Sequence, residues 1–419
     1  MTVLLALLYP WHFAVWAKTY TGTSPPIPHG GLNVSLGDGV VFLIGVVLLL
    51  RLATGRSVPL PRYALQAFVW FAIAVASVTV NTLSPGFFFE LRVSVIGLTK
   101  MLGAGAWMIA VFWLLRESFP RRFLALAGAS VLAATAFAVG SIIQNVFWGI
   151  ERTFGPFENA NIYGNYLMLN VFLAVGIDRF LGTAPEGVTV GRWARRLVRP
   201  LLRFGAVTVL FLGLLATGSR GALVGFFAGL IPAIPWAALR RTRLRGALAL
   251  AGGALVLGLA LWWYLAQDPY VVKRWTLTAQ GEGPNVEERY ALWQGALQAF
   301  SEHPILGLGY AQYPNYAEHQ VGLRATVAHQ TYLATAAELG VFGFLALVWL
   351  LVSVIWDSWR VKDRRFVGVA HACCGFVVAA CTQGLFNNVQ QERSLWLTFA
   401  VIAALLVHIN RTQVVAARA

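Results

Sequence analysis

Four ionisable residues stand where apolar segments of the chain begin or end, and their types suit phosphate chemistry. Arg220 lies in Thr-Gly-Ser-Arg-Gly between two apolar runs, and Arg289 opens a helical pattern. His329 precedes another apolar segment, and Glu338 follows nine residues later. Arginine grips phosphate oxygens bidentately, and a histidine at a helix N-terminus stays neutral and can accept a proton. The set predicts a diphosphate site beside a general base.

Each of these residues also has a simpler interpretation. An arginine at a membrane surface often only reaches a lipid phosphate, and a histidine in a loop is often structural. Glu338 is harder to dismiss, because nine helical residues place it ~13 Å below His329 inside an apolar helix. A carboxylate at that depth normally faces a cavity or a cation, and Arg220 and Arg289 are the candidate partners.

The composition indicates what kind of scaffold must position these residues. The 419 residues are 58% hydrophobic and 12% charged, whereas soluble domains carry roughly 25% charged residues. Apolar stretches near the ~20 residues that cross a bilayer recur along the chain. We therefore predict an all-α integral membrane protein, with residues 1–419 forming a single polytopic domain. The net charge of +15 comes from clusters between apolar runs, which does not indicate nucleic acid.

Apolar runs bounded by charge, Gly or Pro predict about twelve transmembrane helices, the first of them uncleaved. The spans are 2–18, 39–54, 64–82, 89–115, 122–147, 162–180, 203–217, 219–238, 246–266, 330–356, 365–386 and 393–410. Every second loop is basic, so the positive-inside rule places both termini in the cytoplasm. The chain is thus expected in a cytoplasmic (inner) membrane, with loop 267–329 between spans nine and ten facing outward, into the periplasm of a diderm or to the outer surface otherwise.

Loop 267–329 is long enough to be functional rather than a simple connection. Pro284-Asn285 followed by acidic residues predicts a helix start. Apolar residues then recur at helical spacing, so we expect an amphipathic helix that ends near His303-Pro304 and precedes a tight glycine turn. The recurring residues are Tyr290, Trp293, Leu297 and Phe300. The helix is either a packing lid or a direct part of the site.

The motifs in this region resemble those of the O-antigen ligases, within the ligases and polymerases of bacterial surface polysaccharide. The matching pieces are Arg289-Tyr-Ala-Leu-Trp293, His303-Pro304-Ile-Leu-Gly307-Leu-Gly309-Tyr310, His329-Gln-Thr-Tyr-Leu333 and Glu338-Leu-Gly340-Val-Phe-Gly343. Upstream, Thr217-Gly-Ser-Arg220-Gly is similar to a Ser-Arg element, and Gly155-Pro-Phe-Glu158-Asn159-Ala160-Asn161 resembles an Asn-Pro-Asn turn. Ala160 departs from the usual Pro, and Gln330 stands where Asn is frequent.

The resemblance implies a C-type membrane glycosyltransferase that needs neither ATP nor a metal. It would move a glycan from undecaprenyl diphosphate to a sugar hydroxyl of lipid A-core, with inversion at the anomeric carbon. His329 would activate the acceptor hydroxyl, while Arg220 and Arg289 would hold the diphosphate. Further candidates for substrate binding are Glu338, Asn159, Asn161, His303, Tyr310, Trp293, Arg152 and Lys273.

No cofactor is expected from the residues themselves. The chain has no Asp-x-Asp, and the spacing of His303, His319 and His329 matches no common zinc site. Two arginines can stabilise the negative charge that a divalent metal would otherwise stabilise, so we predict that the activity is independent of metal.

Three other functions stay open on sequence grounds. An O-antigen polymerase uses the same donor with a second lipid-linked glycan as acceptor, and a protein O-oligosaccharide ligase differs only in its Ser or Thr acceptor. A transporter of lipid-linked glycan would use ionisable groups near the midplane, for which Lys100 is the main candidate. The polar residues of 387–393 have no assigned role.

Overall fold

The computed structural model describes residues 1–8, 12–15, 32–84, 86, 89–157, 159–183, 192–234, 284–323 and 326–418, and the single residues 252, 258 and 276. The elements before residue 235 are α1 (Thr2–Leu8), β1 (His12–Val15), β2 (Leu32–Ser35), α2 (Leu36–Ala53), α3 (Ala64–Leu83), α4 (Leu91–Leu115), α5 (Phe119–Trp148), α6 (Ala160–Thr183), α7 (Arg192–Pro200), a π-helical turn (Leu201–Ala206), α8 (Val207–Ala216) and α9 (Arg220–Ala233). The later ones are α10 (Pro284–Glu302), α11 (Tyr313–Gln320), α12 (Thr331–Trp359), α13 (Val367–Gln383) and α14 (Arg393–Arg418).

The helical membrane architecture predicted from composition is confirmed for the described part of the chain. Eight helices there are long and apolar enough to cross a membrane, and α9 and α13 are shorter apolar helices. These ten correspond to ten of the predicted spans. Apart from the single residues 252, 258 and 276, the ninth span (246–266) and residues 267–283 of the predicted loop lie outside the described residues, so the ninth span stays a prediction.

The first predicted span, 2–18, is wrong as a single helix. Helix α1 ends at Leu8, and β1 pairs antiparallel with β2 in the register His12↔Ser35. The seven residues of α1 are too few to cross a bilayer.

The bundle has two chemically distinct ends, which α6 connects. Near its C-terminus, Asp178 forms salt bridges with Arg199 (3.1 Å) and Arg203 (2.8 Å). Its N-terminus lies a full helix length away and carries Asn161. Arg199 and Arg203, which lie in one of the basic loops predicted to be cytoplasmic, are therefore at the opposite end of α6 from the candidate site. Which membrane face each end meets stays a prediction.

Glycines let α9 and α13 pack closely. An ideal Cβ on Gly225 would lie 2.4 Å from the carbonyl oxygen of Ala379, and one on Gly229 would lie 2.3 Å from that of Gly375. Neither position could hold a side chain without moving the partner backbone. Glycines four residues apart form one face of a helix and permit this approach between membrane helices. The contact fixes the N-terminus of α9 beside the C-terminus of α13.

Helix α12 is broken at Gly340, which has φ = 64°. The segment 303–309 docks against this break, and the amide of Val341 donates to the carbonyl of Pro304 at 2.8 Å. The predicted glycine turn is confirmed, because Gly307 and Gly309 have φ values of 71° and 103°. The two glycine-rich motifs therefore form one backbone-to-backbone joint.

The predicted helix in the long loop is confirmed as α10, which was expected to rest on the membrane or on the bundle. Leu292, Ala296 and Ala299 are fully buried, and they pack with α11 and the start of α12. Tyr290 and Leu297, two residues of the predicted apolar stripe, are 51% and 52% exposed. Large side chains marked the apolar stripe in the sequence, whereas small ones allow the close packing that the structure uses.

Candidate active site

Three helices begin at one end of the bundle, and α13 ends among them. Ser219, which precedes α9, donates its hydroxyl to Asn161 Oδ1 of α6 at 2.8 Å. Gln383, the last residue of α13, donates its amide to the Asn161 carbonyl at 3.0 Å. The first amide of α12, from Thr331, donates to the Gly384 carbonyl at 2.7 Å. Helix N-termini carry partial positive charge, so this end is suited to bind an anion.

The Thr-Gly-Ser-Arg motif places Arg220 at the first position of α9. Gly218 adopts φ = 59°, which reverses the chain after α8. The Thr217 hydroxyl accepts from the Ser219 amide at 3.1 Å, and Ser219 caps α9 by accepting from the Ala222 amide at 3.4 Å. The guanidinium of Arg220 thus extends from a helix N-terminus, and the two positive features reinforce each other.

Three of the predicted substrate-binding residues lie next to Arg220. Asn159 caps α6, because its Oδ1 accepts from the Asn161 amide at 2.7 Å. Arg152 reaches the same place from the preceding loop, where its Nε lies 3.5 Å from the Thr217 carbonyl oxygen. The Asn-Ala-Asn turn and the Ser-Arg element therefore form one surface. They meet at the contact between Asn161 and Ser219, which are 58 residues apart in the sequence.

His329, Arg289 and Trp293 form a second group beside the first. The indole of Trp293 donates to the Ala328 carbonyl at 3.0 Å, which ties α10 to the residue before His329. His329 has φ = 51°, a conformation that non-glycine residues rarely adopt. Burial and the nearby positive charge of Arg289 lower the pKa of His329 to about 4. Both effects favour the neutral imidazole at pH 7.

Thr331 connects the two groups. Its hydroxyl donates to the Asn387 carbonyl at 2.8 Å and accepts from the Val389 amide at 2.9 Å. The side-chain nitrogen of Asn387 in turn lies 2.9 Å from where a Cβ on Gly221 would be. The loop after α13 thus bridges from the residues after His329 to the start of α9. The sequence analysis missed Thr331, although a hydroxyl residue at a helix start was a usable signal.

Gln330, the departure from the family pattern, has a structural role. It is the N-cap of α12, and its Oε1 accepts from the Leu333 amide at 2.5 Å. Glutamine therefore provides the cap that a shorter amide side chain would provide at this position.

Other predicted site residues lie away from these groups. The Glu338 carboxylate accepts hydrogen bonds from the backbone amides of Ala311 and Tyr313, and the distance to the Tyr313 nitrogen is 3.3 Å. Within the described chain its partners are therefore backbone amides, whereas Arg220 or Arg289 was expected. Tyr310 is buried, and its hydroxyl accepts from Gln391 at 2.6 Å. His303 is exposed at the end of α10.

Substrate binding by Glu338, Tyr310, His303 and Trp293 stays a prediction, and Lys273 lies outside the described residues. Among the residues that the structure describes, no three His, Cys, Asp or Glu side chains are grouped so as to hold a metal ion. Metal independence likewise stays a prediction.

Comparisons with known proteins find similarity to O-antigen ligases. Residues 205–348 match the family model described as O-antigen ligase. The chain is 25% identical over 302 residues to an O-antigen ligase of Pseudomonas aeruginosa, covering 69% of this chain and 66% of that relative. With its apolar helices, the protein is a multi-pass membrane protein. The chain is thus similar to O-antigen ligases, and the matched segment holds Arg220, Arg289 and His329.

Proposed function

We propose that this protein transfers a glycan from undecaprenyl diphosphate to a sugar hydroxyl of lipid A-core at the periplasmic face of the inner membrane. The observation that carries the proposal is the convergence of α6, α9 and α12 by their N-termini. Arg220 extends from one of these N-termini, and the neutral His329 stands beside another with Arg289 close to it. Similarity to O-antigen ligases supports a glycosyltransferase-type enzyme.

The chemical step needs two functions from this end of the protein. The acceptor hydroxyl attacks the anomeric carbon, and the bond from that carbon to the diphosphate oxygen breaks with its electron pair. The hydroxyl proton passes to His329, and the departing diphosphate gains negative charge. Direct displacement from the opposite side inverts the anomeric configuration.

Arg220 and Arg289 are proposed to stabilise the departing diphosphate. Their charges and the helix N-termini are fixed before the reaction starts, so little reorganisation is needed as charge develops. The sugar–diphosphate bond supplies the driving energy, which is why neither ATP nor a metal enters the scheme. Arg289 serves a second purpose, because its charge helps to keep His329 unprotonated and able to accept the proton.

The test is transfer by purified protein in nanodiscs, with a synthetic undecaprenyl-diphosphate glycan and lipid A-core, in buffer containing chelator and lacking ATP. His329→Ala is expected to abolish transfer. His319→Ala is the matched control, since His319 is an exposed histidine of α11 in the same segment, and it should retain most activity. Arg220→Lys keeps the charge but loses the bidentate fork, and a reduction of ten- to a hundredfold is expected.

The products distinguish the alternatives. Longer glycans on the lipid carrier, with lipid A-core unmodified, would identify a polymerase. Glycan on a Ser- or Thr-containing peptide would identify a protein ligase. Full transfer by His329→Ala would remove His329 as the base, and activity that returned only with added Mg²⁺ would contradict the metal-free scheme.

A further inference from the structure

Four buried or half-buried amide side chains at the same end have polar atoms without a hydrogen-bond partner among the described residues. The atoms are Asn165 Nδ2, Gln383 Oε1, Asn388 Oδ1 and Gln390 Oε1. We call these four residues the amide cluster. Buried polar groups in proteins are nearly always paired, and each unpaired one costs about 1–3 kcal/mol. Four at one end of a bundle therefore call for an explanation.

The amide cluster adjoins the candidate diphosphate site. Gln383 donates its Nε2 to the Asn161 carbonyl, which fixes its orientation and leaves Oε1 as the unpaired acceptor. Asn165 lies one turn after Asn161 on α6, and its Oδ1 accepts from the Ser394 hydroxyl at 3.1 Å. Both side chains are essentially inaccessible, at 1% and 0% exposure.

The other two members belong to the loop that bridges α12 and α9. Asn388 and Gln390 flank Val389, whose amide donates to the Thr331 hydroxyl. The Gln390 carbonyl accepts from the Trp396 indole at 2.8 Å, which holds this part of the loop against α14. The cluster is thus built on the same framework that positions His329 and Arg220.

The chemistry of the unpaired atoms excludes a phosphate as their ligand. Three of the four are carbonyl oxygens, which need hydrogen-bond donors and would be repelled by an anion. A sugar hydroxyl both donates and accepts, so a ring with several hydroxyls can satisfy three acceptors and one donor together. The adjacent arginines take the negative charge instead.

We infer that the amide cluster binds the sugar that is directly attached to the diphosphate of the lipid-linked donor. This inference rests on the proposed function, because it assumes that the diphosphate lies at Arg220. The amides would hold the sugar ring while the helix N-termini hold the diphosphate, so that the anomeric carbon is fixed between the two subsites. Recognition of the first sugar thereby becomes separate from recognition of the lipid diphosphate.

Binding measurements in nanodiscs test the inference without relying on activity. The probes are undecaprenyl diphosphate and undecaprenyl diphosphate carrying a single N-acetylglucosamine, and the quantity is the ratio of their dissociation constants. Wild-type protein should bind the glycosylated lipid more tightly. Gln383→Met and Asn388→Ala should each reduce that preference by about two- to tenfold, the effect of one neutral hydrogen bond, and leave binding of the bare lipid unchanged.

Gln391→Met is the matched control, because the amide of Gln391 already donates to the Tyr310 hydroxyl and should not affect the ratio. Equal affinity of wild-type protein for the two lipids would overturn the inference and leave the proposed function intact. An unchanged ratio in both Gln383→Met and Asn388→Ala would also overturn the inference. So would an equal weakening, in these variants, of binding to the glycosylated lipid and to the bare lipid. Failure of wild-type protein to bind either lipid would overturn the proposed function itself.

Discussion

Replacing Thr331 by valine should damage the candidate site more than its small change in volume suggests. The Thr331 hydroxyl donates to the Asn387 carbonyl and accepts from the Val389 amide, and the side chain is only 2% exposed. Valine keeps the shape but leaves both backbone groups without this partner. At about 1–3 kcal/mol for each buried unsatisfied group, the local cost is about 2–4 kcal/mol after some compensation from the added methyl.

Thr331→Ser is the matched control for this change. Serine retains both hydrogen bonds and loses one methyl group, which costs about 1 kcal/mol. Thermal unfolding of the purified protein should therefore rank wild type, then Ser, then Val, with a shift of several degrees for Val. Hydrogen exchange should locate the damage, because the Val389 amide loses protection in Thr331→Val and keeps it in Thr331→Ser.

Transfer activity should follow the same order as stability, because Thr331 joins the residues around His329 to those around Arg220. The reasoning would be refuted if Thr331→Val melted and turned over like wild type. It would be equally refuted if Thr331→Ser were as impaired as Thr331→Val, because the methyl group rather than the hydroxyl would then matter.

Three further predictions concern backbone strain and titration. Gly340→Ala should destabilise the protein by at least ~2 kcal/mol, because the new Cβ would lie 2.2 Å from the Ile305 carbonyl oxygen and φ is positive at this position. Gly103→Ala is the control: a Cβ at Gly103 would have nothing within 4 Å, so thermal unfolding should show a neutral or mildly stabilising effect. The pKa of His329 is lowered to about 4, so its neutral form persists and the rate of transfer should not fall as the pH drops through 6.5. Between pH 6.5 and 4 the folded state also binds fewer protons than the unfolded state, so the stability of the protein falls as the pH drops through that window. Burial raises the pKa of Glu392 from 4.5 to about 7. The stability that the protonated carboxyl contributes is therefore complete below pH 4.5 and is lost as the pH rises to 7. Glu392→Gln should melt at a higher temperature than wild type at pH 8 and at the same temperature at pH 4.5, and the reverse order would contradict this.

Helix positions were predictable from sequence because long apolar runs leave few alternatives in a membrane. Ten predicted spans correspond to helices of the described chain. The site could be outlined for the same reason, since helix starts carrying arginine or histidine are few in such a chain.

Contacts made through backbone were not predictable in the same way. Glu338 was expected to face a cavity or a cation, but its carboxylate accepts hydrogen bonds from the backbone amides of Ala311 and Tyr313, and nothing in the side-chain pattern encodes these contacts. The close packing of α9 on α13 depends on Gly225 and Gly229, whose lack of a side chain gives no hydropathy signal. The amide cluster was visible as a polar loop, but its chemistry depends on which atoms are left unpaired.

The break at Gly340 has a consequence for how the protein tolerates membranes of different thickness. Residues 341–359 of α12 alone extend about 28 Å, close to the ~30 Å of a hydrocarbon core, so the turns before Gly340 are not needed to cross the bilayer. Those outer turns are fastened to segment 303–309 by backbone hydrogen bonds. Hydrophobic mismatch can therefore be absorbed by tilting residues 341–359 about the glycine, while His329 keeps its distance from the arginines.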